Sequence, residues 1–217
     1  MLHAAALSPD LLEQLGSTTV PQGLLAVPAA LAGLFPEGGM RKGSTITVSG
    51  SSSLVLALLA KVSQQQGWCA EVGSPLIGSA AAAEIGVVLE RFVRVAEPGD
   101  QWPSVVASLL EAFQVVVVHP PAQVRDADMR RLTARARERS AVLLVTSPQA
   151  GSWPGAMVGL SAVRQQWHGL GPGHGYLRAR EIEVQALGRG AAAMPRRATV
   201  WLPAIDGAIA AARSSAA

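Results

Sequence analysis

Unbroken apolar runs separated by longer periodic stretches set the frame of this chain. Val115-Val116-Val117-Val118 and Val142-Leu143-Leu144-Val145 are apolar at every position, so each predicts a strand covered on both faces, as in a parallel sheet between helices. Thr45-Ile46-Thr47-Val48, Trp68 to Val72 and Phe92-Val93-Arg94-Val95 predict three further strands. Between them, Leu54 to Gln66 has helical length and content and stops near Gly67. Glu84 to Leu89 closes a helix begun in the preceding alanine run. Pro103 sits at a first helical position, followed by Val105, Val106, Leu109, Leu110 and Phe113 at helical spacing. Asp126 to Arg139 predicts a polar, arginine-rich helix. This alternation predicts an α/β fold whose central sheet is mostly parallel and flanked by helices.

The grammar differs at the two ends. Ser8-Pro9-Asp10 opens a short capped helix that Gly16 stops, and a Gly- and Pro-rich arm with an apolar turn of helix at Ala29 to Leu34 leads to the Pro36-Glu37-Gly38-Gly39 turn cluster. After Gly151, Val158 to Gln165, Tyr176 to Ala186 and Thr199 to Leu202 predict strands joined by glycine-rich turns with no helix between them, hence an antiparallel C-terminal extension. Ile205 to Arg213 reads as a short terminal helix before a fraying end. The expected organisation is an N-terminal helix and arm over 1–43, a core over 44–203 and a helical tail over 204–217.

Length and composition narrow this picture. The 217 residues, 49% hydrophobic and 15% charged, suffice for one substantial packed domain, and 4% aromatics leave its core to Ala, Val and Leu. Cys69 is the single cysteine, which excludes an internal disulfide and a zinc site and fits a reducing cytoplasm. The chain has neither a long apolar run nor a basic start before one, so no membrane span or signal peptide is expected. The formal charge of +3 is unevenly spread: residues 1–100 carry five Lys/Arg against eight Asp/Glu, and residues 101–217 carry thirteen against seven. A basic second half permits contact with nucleic acid or with an acidic protein surface.

A strand, a glycine-rich turn and a helix are where such a fold usually binds phosphate, through turn amides, the helix N-terminus and a Lys. Here the junction reads Ser49 to Leu59, SGSSSLVLALL. Gly50, Ser51, Ser52 and Ser53 form a degenerate phosphate loop, because Lys61 comes two turns too late. The Phe113 to Pro121 strand ends in His119, where magnesium would need a carboxylate. Two departures at one site predict no catalytic residue, no cofactor and no metal.

The wording around these positions resembles the ATPase core of the RecA/RadA recombinase family over roughly residues 20 to 203. VPAALAGLFPEGGMRKGSTITVSG (Val27 to Gly50) resembles that family's run into the phosphate loop, and WCAEVGSP (Trp68 to Pro75) its second strand. Residues Glu84 to Pro121 resemble its third strand, helix and metal-binding strand, and SAVLLVTSPQ (Ser140 to Gln149) its sensor strand. The resemblance implies a RecA-like fold, puts Glu71 near the catalytic glutamate and makes Gln149 the sensor. The short length, Ala/Arg-rich composition and degenerate loop are similar to ImuA-type mutasome accessory proteins. That implies a non-catalytic cytoplasmic adaptor in DNA-damage tolerance, translesion synthesis and induced mutagenesis. Its implied partners are an ImuB-like polymerase-related protein and RecA. A SulA-like cell-division inhibitor and a DNA-binding protein without ATPase activity are the competing readings.

The remaining candidates each have two readings. Arg125, Arg130, Arg131, Arg135, Arg137 and Arg139 are either a solvated helix face or a patch for DNA phosphate or an acidic partner. No exposed aromatic run is expected beside them, which disfavours base stacking. His168 and His174 lie in a glycine-rich connection, WHGLGPGHGY, as incidental turn residues, with His174 also a candidate DNA contact. Ile205 and Ile209 are spaced to dock one helix face on a partner or back on the core. Trp102, Trp153, Trp167 and Trp201 fall at predicted turns or strand ends, with Trp201 assigned to the core.

Overall fold

The computed structural model describes residues 22–73, 77–147 and 152–212. The predicted helix at Ser8 to Gly16, Gln149 and the last residues of the tail lie outside them. In chain order the elements are β1 (Leu24–Leu25), α1 (Ala29–Ala32), β2 (Met40–Arg41), β3 (Thr45–Ser49), α2 (Ser52–Gln64), β4 (Cys69–Val72) and α3 (Ser79–Glu84). Then come β5 (Phe92–Val95), α4 (Trp102–Leu109), β6 (Val115–Val118), α5 (Asp126–Glu138), β7 (Val142–Thr146) and β8 (Val158–Gly171). The last are β9 (His174–Gly188), β10 (Arg196–Trp201) and β11 (Ala210–Ala211).

Nine strands form one sheet in the order β11-β10-β9-β8-β3-β7-β6-β4-β5. From β8 to β5 every pairing is parallel, and from β8 outward through β9, β10 and β11 every pairing is antiparallel. The α/β architecture and the antiparallel C-terminal extension are therefore as the apolar pattern predicts.

Period-2 alternation along the central strands sends side chains into two separate cores. Ile46, Val48, Val117 and Leu144 meet α2 and α1 on one face, while Val116, Val118, Leu143 and Val145 meet α4 and α5 on the other. Helix α2 is buried on almost every side, from Leu54 through Ala60, as a helix apolar all round must be. Helix α5 buries only Asp128, Leu132 and Ala136, one stripe at i, i+4, i+8. Trp102 and Trp153 complete the second core with ring centroids 6.4 Å apart.

Three expectations are corrected. Ile205 to Arg213 is not a helix over its described residues: Asp206-Gly207 makes a turn, with Ala208 N donating to Asp206 Oδ1 and Ala204 N to Ala208 O, and β11 then pairs with β10. An Asp-Gly turn beside a strand edge with unpaired backbone groups outcompetes a short alanine helix. The helix after the alanine run stops at Glu84, and Leu89 belongs to a separate 3-10 turn, Leu89–Arg91. The glycine-rich connection after Trp167 is mostly strand: β8 runs to Gly171 and β9 restarts at His174. Gly169 and Gly175, both at positive φ, bring the two backbones so close that a Cβ on either would collide with the other strand.

Candidate functional site

Ligands of open α/β sheets bind beyond the carboxyl ends of the parallel strands, and four of the sequence-predicted positions gather there. Helix α2 starts two residues after β3 ends. Ser51 is its N-cap, its Oγ accepting from Leu54 N at 3.3 Å. Gly50 has φ +81°, and a Cβ there would lie 2.8 Å from Ala162 O on β8. Its carbonyl accepts from Gln165 Nε2 at 2.7 Å, and Ser49 Oγ reaches Leu160 O and Ser161 Oγ. Strand β8 is thus stitched across the turn, with Ser52 exposed and Ser53 half-buried at its mouth.

Beside this turn lies a buried polar cluster to which four adjacent strands each contribute one residue. Glu71 on β4 is 1% exposed, and its Oε2 accepts from Arg94 Nε on β5 at 2.7 Å. Its Oε1 lies 3.2 Å from Nε2 of His119, just past β6, within ion-pair range but without hydrogen-bond alignment. His119 Nδ1 sits 2.6 Å from Thr146 Oγ1 at the end of β7, which also lies 3.2 Å from Val118 O. In-register pairing puts Glu71 beside Arg94 and Val117, so the cluster follows from strand order. Arg94 satisfies one carboxylate oxygen, while Oε1 faces His119 without a hydrogen bond. The single acidic residue in the Cys69–Val72 strand was the sequence signal for it.

The other predicted candidates are scattered. A cavity of about 570 Å3 beyond β4 and β6 is lined by His119, Trp102, Arg125 and Asp128. Arg125 and Arg131 pair with Asp128, and Arg130 with Asp126. Arg135 and Arg139 both pair with Glu111 just beyond α4, while Arg137 is exposed. These five arginines thus have carboxylate partners, yet their side chains stay 39–84% exposed. Ile205 is 81% exposed at the turn after β10, whereas Ile209 packs against the first core, so the two do not share a docking face. Trp201 is half-buried with its ring 4.9 Å from that of His168. Burial pushes the Cys69 thiol up to about 12, which makes it inert.

The sequence reading missed the far half of the β8–β9 hairpin. Strand β10 pairs with β9 as far as Glu181, the backbone of Arg180 still bonds Leu202 and Pro203, and β3 pairs with β8 only as far as Ser161, so residues 168–179 project as a two-stranded ribbon from the carboxyl edge. Exposed side chains on it and at its base include Trp167, Leu170, Tyr176 and Leu177. Arg180 lies over the Trp167 ring, 4.9 Å from its centroid, and Arg178 over Tyr176 at 4.6 Å. An aromatic group does accompany arginines, on the ribbon and not on α5. The Tyr176-x-Arg178-x-Arg180 alternation was the available signal.

The family model of the MT3502 N-terminal domain matches residues 33–155, from the end of α1 to just before β8. This chain belongs to that family. It is similar to the uncharacterized protein Rv3395c of Mycobacterium tuberculosis, 33% identical over 172 residues that cover 75% of this chain and 82% of the relative. The stretch shared with the MT3502 family holds the Gly50 turn and the whole Glu71 cluster, while the ribbon lies beyond it. Among the described residues no helix is long and apolar enough to cross a membrane.

Proposed function

We propose that this member of the MT3502 family is a RecA-like adaptor without catalysis of its own. In this reading it works in cytoplasmic DNA-damage tolerance and holds an ImuB-like polymerase-related protein during translesion synthesis. The observation that carries the reading is the occupied strand–turn–helix junction. A phosphate cradle needs a run of open backbone amides ahead of the helix. Here only Gly50 and Ser51 separate β3 from α2; Ser51 caps the helix and Gln165 holds the Gly50 carbonyl. The Glu71 cluster supports the same view, since Arg94 and His119 cover the carboxylate that the recombinase resemblance would make catalytic. The basic second half of the chain supports a protein or nucleic-acid partner over a small substrate.

Co-purification of the tagged full chain with an ImuB-like protein tests the proposal. Truncation after Pro203 is a poor probe of the contact, because it removes β11 and the packed Ile209. Ile205→Asp probes it cleanly, since that side chain is 81% exposed. A stable complex with the parent chain, weakened by Ile205→Asp, is the expected result. A folded chain that binds no such partner, or that binds ATP with magnesium at micromolar affinity, would overturn the proposal.

A further inference from the structure

The cavity beyond β4 and β6 offers hydrogen-bond donors without giving them acceptors. Its volume, about 570 Å3, falls in the range of small-molecule sites. Two helices begin on its wall: Gly99, Asp100 and Trp102 lead into α4, and Val124 and Arg125 lead into α5. Neither start has a side-chain cap. The opening amides of a helix have no intrahelical acceptor and its dipole is positive there, so both ends favour an anion. A 3-10 turn already holds the Trp102 amide, which leaves α5, 13 residues long, as the stronger end. The deciding donor is a side chain. Trp102 is 3% exposed, and its Nε1 has no hydrogen-bond partner. It faces a corner kept open by Gly73, where a Cβ would lie 3.5 Å from Nε1 and 2.8 Å from His119 O. Gly73, at φ +84°, and His119 both line the cavity. Among the described residues five buried side-chain atoms lack a hydrogen-bond partner, and three of them gather here: Trp102 Nε1, His119 Nε2 and Glu71 Oε1. Buried polar atoms in native folds are nearly always paired, so orphans grouped beside a cavity mark where a ligand's polar group fits.

The charges around the cavity leave room for one anion. Asp128 is held by Arg125 Nε at 2.8 Å and lies 3.9 Å from Arg131, two guanidinium groups against one carboxylate. Glu71 is matched by Arg94. Asp100 is exposed at the mouth, where solvent screens it. The rest of the wall is apolar: Pro98, Pro103, Pro120, Val124 and the indole of Trp102. An inorganic anion would leave those surfaces wet, and a plain hydrocarbon would leave the indole N–H without an acceptor. A carboxylate on a compact apolar body meets both needs.

We infer that this cavity binds a small organic carboxylate, which accepts from the Trp102 indole N–H and the start of α5 and lays its apolar body against the prolines. It is a ligand site without turnover, shares no lining residue with the Gly50 turn and does not depend on the adaptor reading. The test is heteronuclear NMR of the full chain labelled at its tryptophan indole nitrogens, titrated with benzoate, benzyl alcohol and acetate. The chain has five tryptophans, and Trp102→Phe assigns the Trp102 resonance by its loss. Benzoate should shift that resonance to saturation. Benzyl alcohol, which lacks the charge, and acetate, which lacks the body, should each bind at least about tenfold more weakly. Calorimetry then reads the variants: Trp102→Phe should weaken benzoate about 10- to 150-fold, the loss of one hydrogen bond to a charged group. Arg125→Ala should weaken it about 5-fold; that side chain is 84% exposed, so the variant keeps the fold even if Trp102→Phe does not. Ile205→Asp should bind benzoate like the parent, so this inference and the adaptor reading fail separately. A Trp102 resonance unmoved by millimolar benzoate would overturn the inference. So would equal binding of benzyl alcohol, or an affinity that a folded Trp102→Phe chain retains.

Discussion

Replacing Glu71 by Gln distinguishes a structural carboxylate from a catalytic one. The substitution keeps the shape of a side chain that is 1% exposed and removes its charge from between Arg94 and His119. Breaking a buried ion pair costs about 3–5 kcal/mol when the surviving partner stays buried. The surviving Arg94 side chain is 27% exposed and can turn partly to water. The amide oxygen of Gln can also keep a neutral hydrogen bond worth about 1 kcal/mol. The expected loss is therefore about 2–3 kcal/mol, which lowers Tm by roughly 4–12 °C for a chain of this size. Arg94→Ala should cost more, about 3–5 kcal/mol, because it strands a carboxylate that has no route to solvent. Urea unfolding of both single variants and the double variant reads these values, and a coupling of about 1–3 kcal/mol is expected across the pair. A Glu71→Gln variant as stable as the parent, or more so, would refute the reasoning. Active-site carboxylates often cost stability, and their removal restores it.

Other outcomes follow from particular contacts. Leu58→Ala, at a fully buried position in α2, should cost about 2–5 kcal/mol in urea unfolding, and a loss under about 1 kcal/mol would contradict the first core as described. Cys69 should resist a thiol reagent in the folded chain and react only through unfolding, so modification rates should track unfolding rates. Its thiol is raised from 9.0 to about 12 by burial, so the stability it contributes is fully present below about pH 9 and is lost as pH climbs towards 12, at roughly 1.4 kcal/mol per unit. Unfolding midpoints measured across that window should fall, and a rising midpoint would refute the sign. Glu111→Gln releases Arg135 and Arg139 from surface ion pairs and should change stability by less than about 1 kcal/mol.

The sequence by itself determined what depends on local periodicity. The valine run of β6 and the Val142 run of β7 can be buried only between two layers of helices, and the structure places them centrally in the sheet with a core on each face. The proline start of α4 was likewise written in a few adjacent residues. Tertiary structure decided whatever depends on pairing between distant segments. Asp206-Gly207 made a turn because the β10 edge offered hydrogen bonds to β11, and no local count of alanines contains that edge. Glu71, Arg94, His119 and Thr146 are far apart in sequence and meet because β5, β4, β6 and β7 are neighbours in that order. The stack of Arg180 on Trp167 exists only in the register that sets the two opposite each other; a slip of one residue would send every side chain of one strand to the other face.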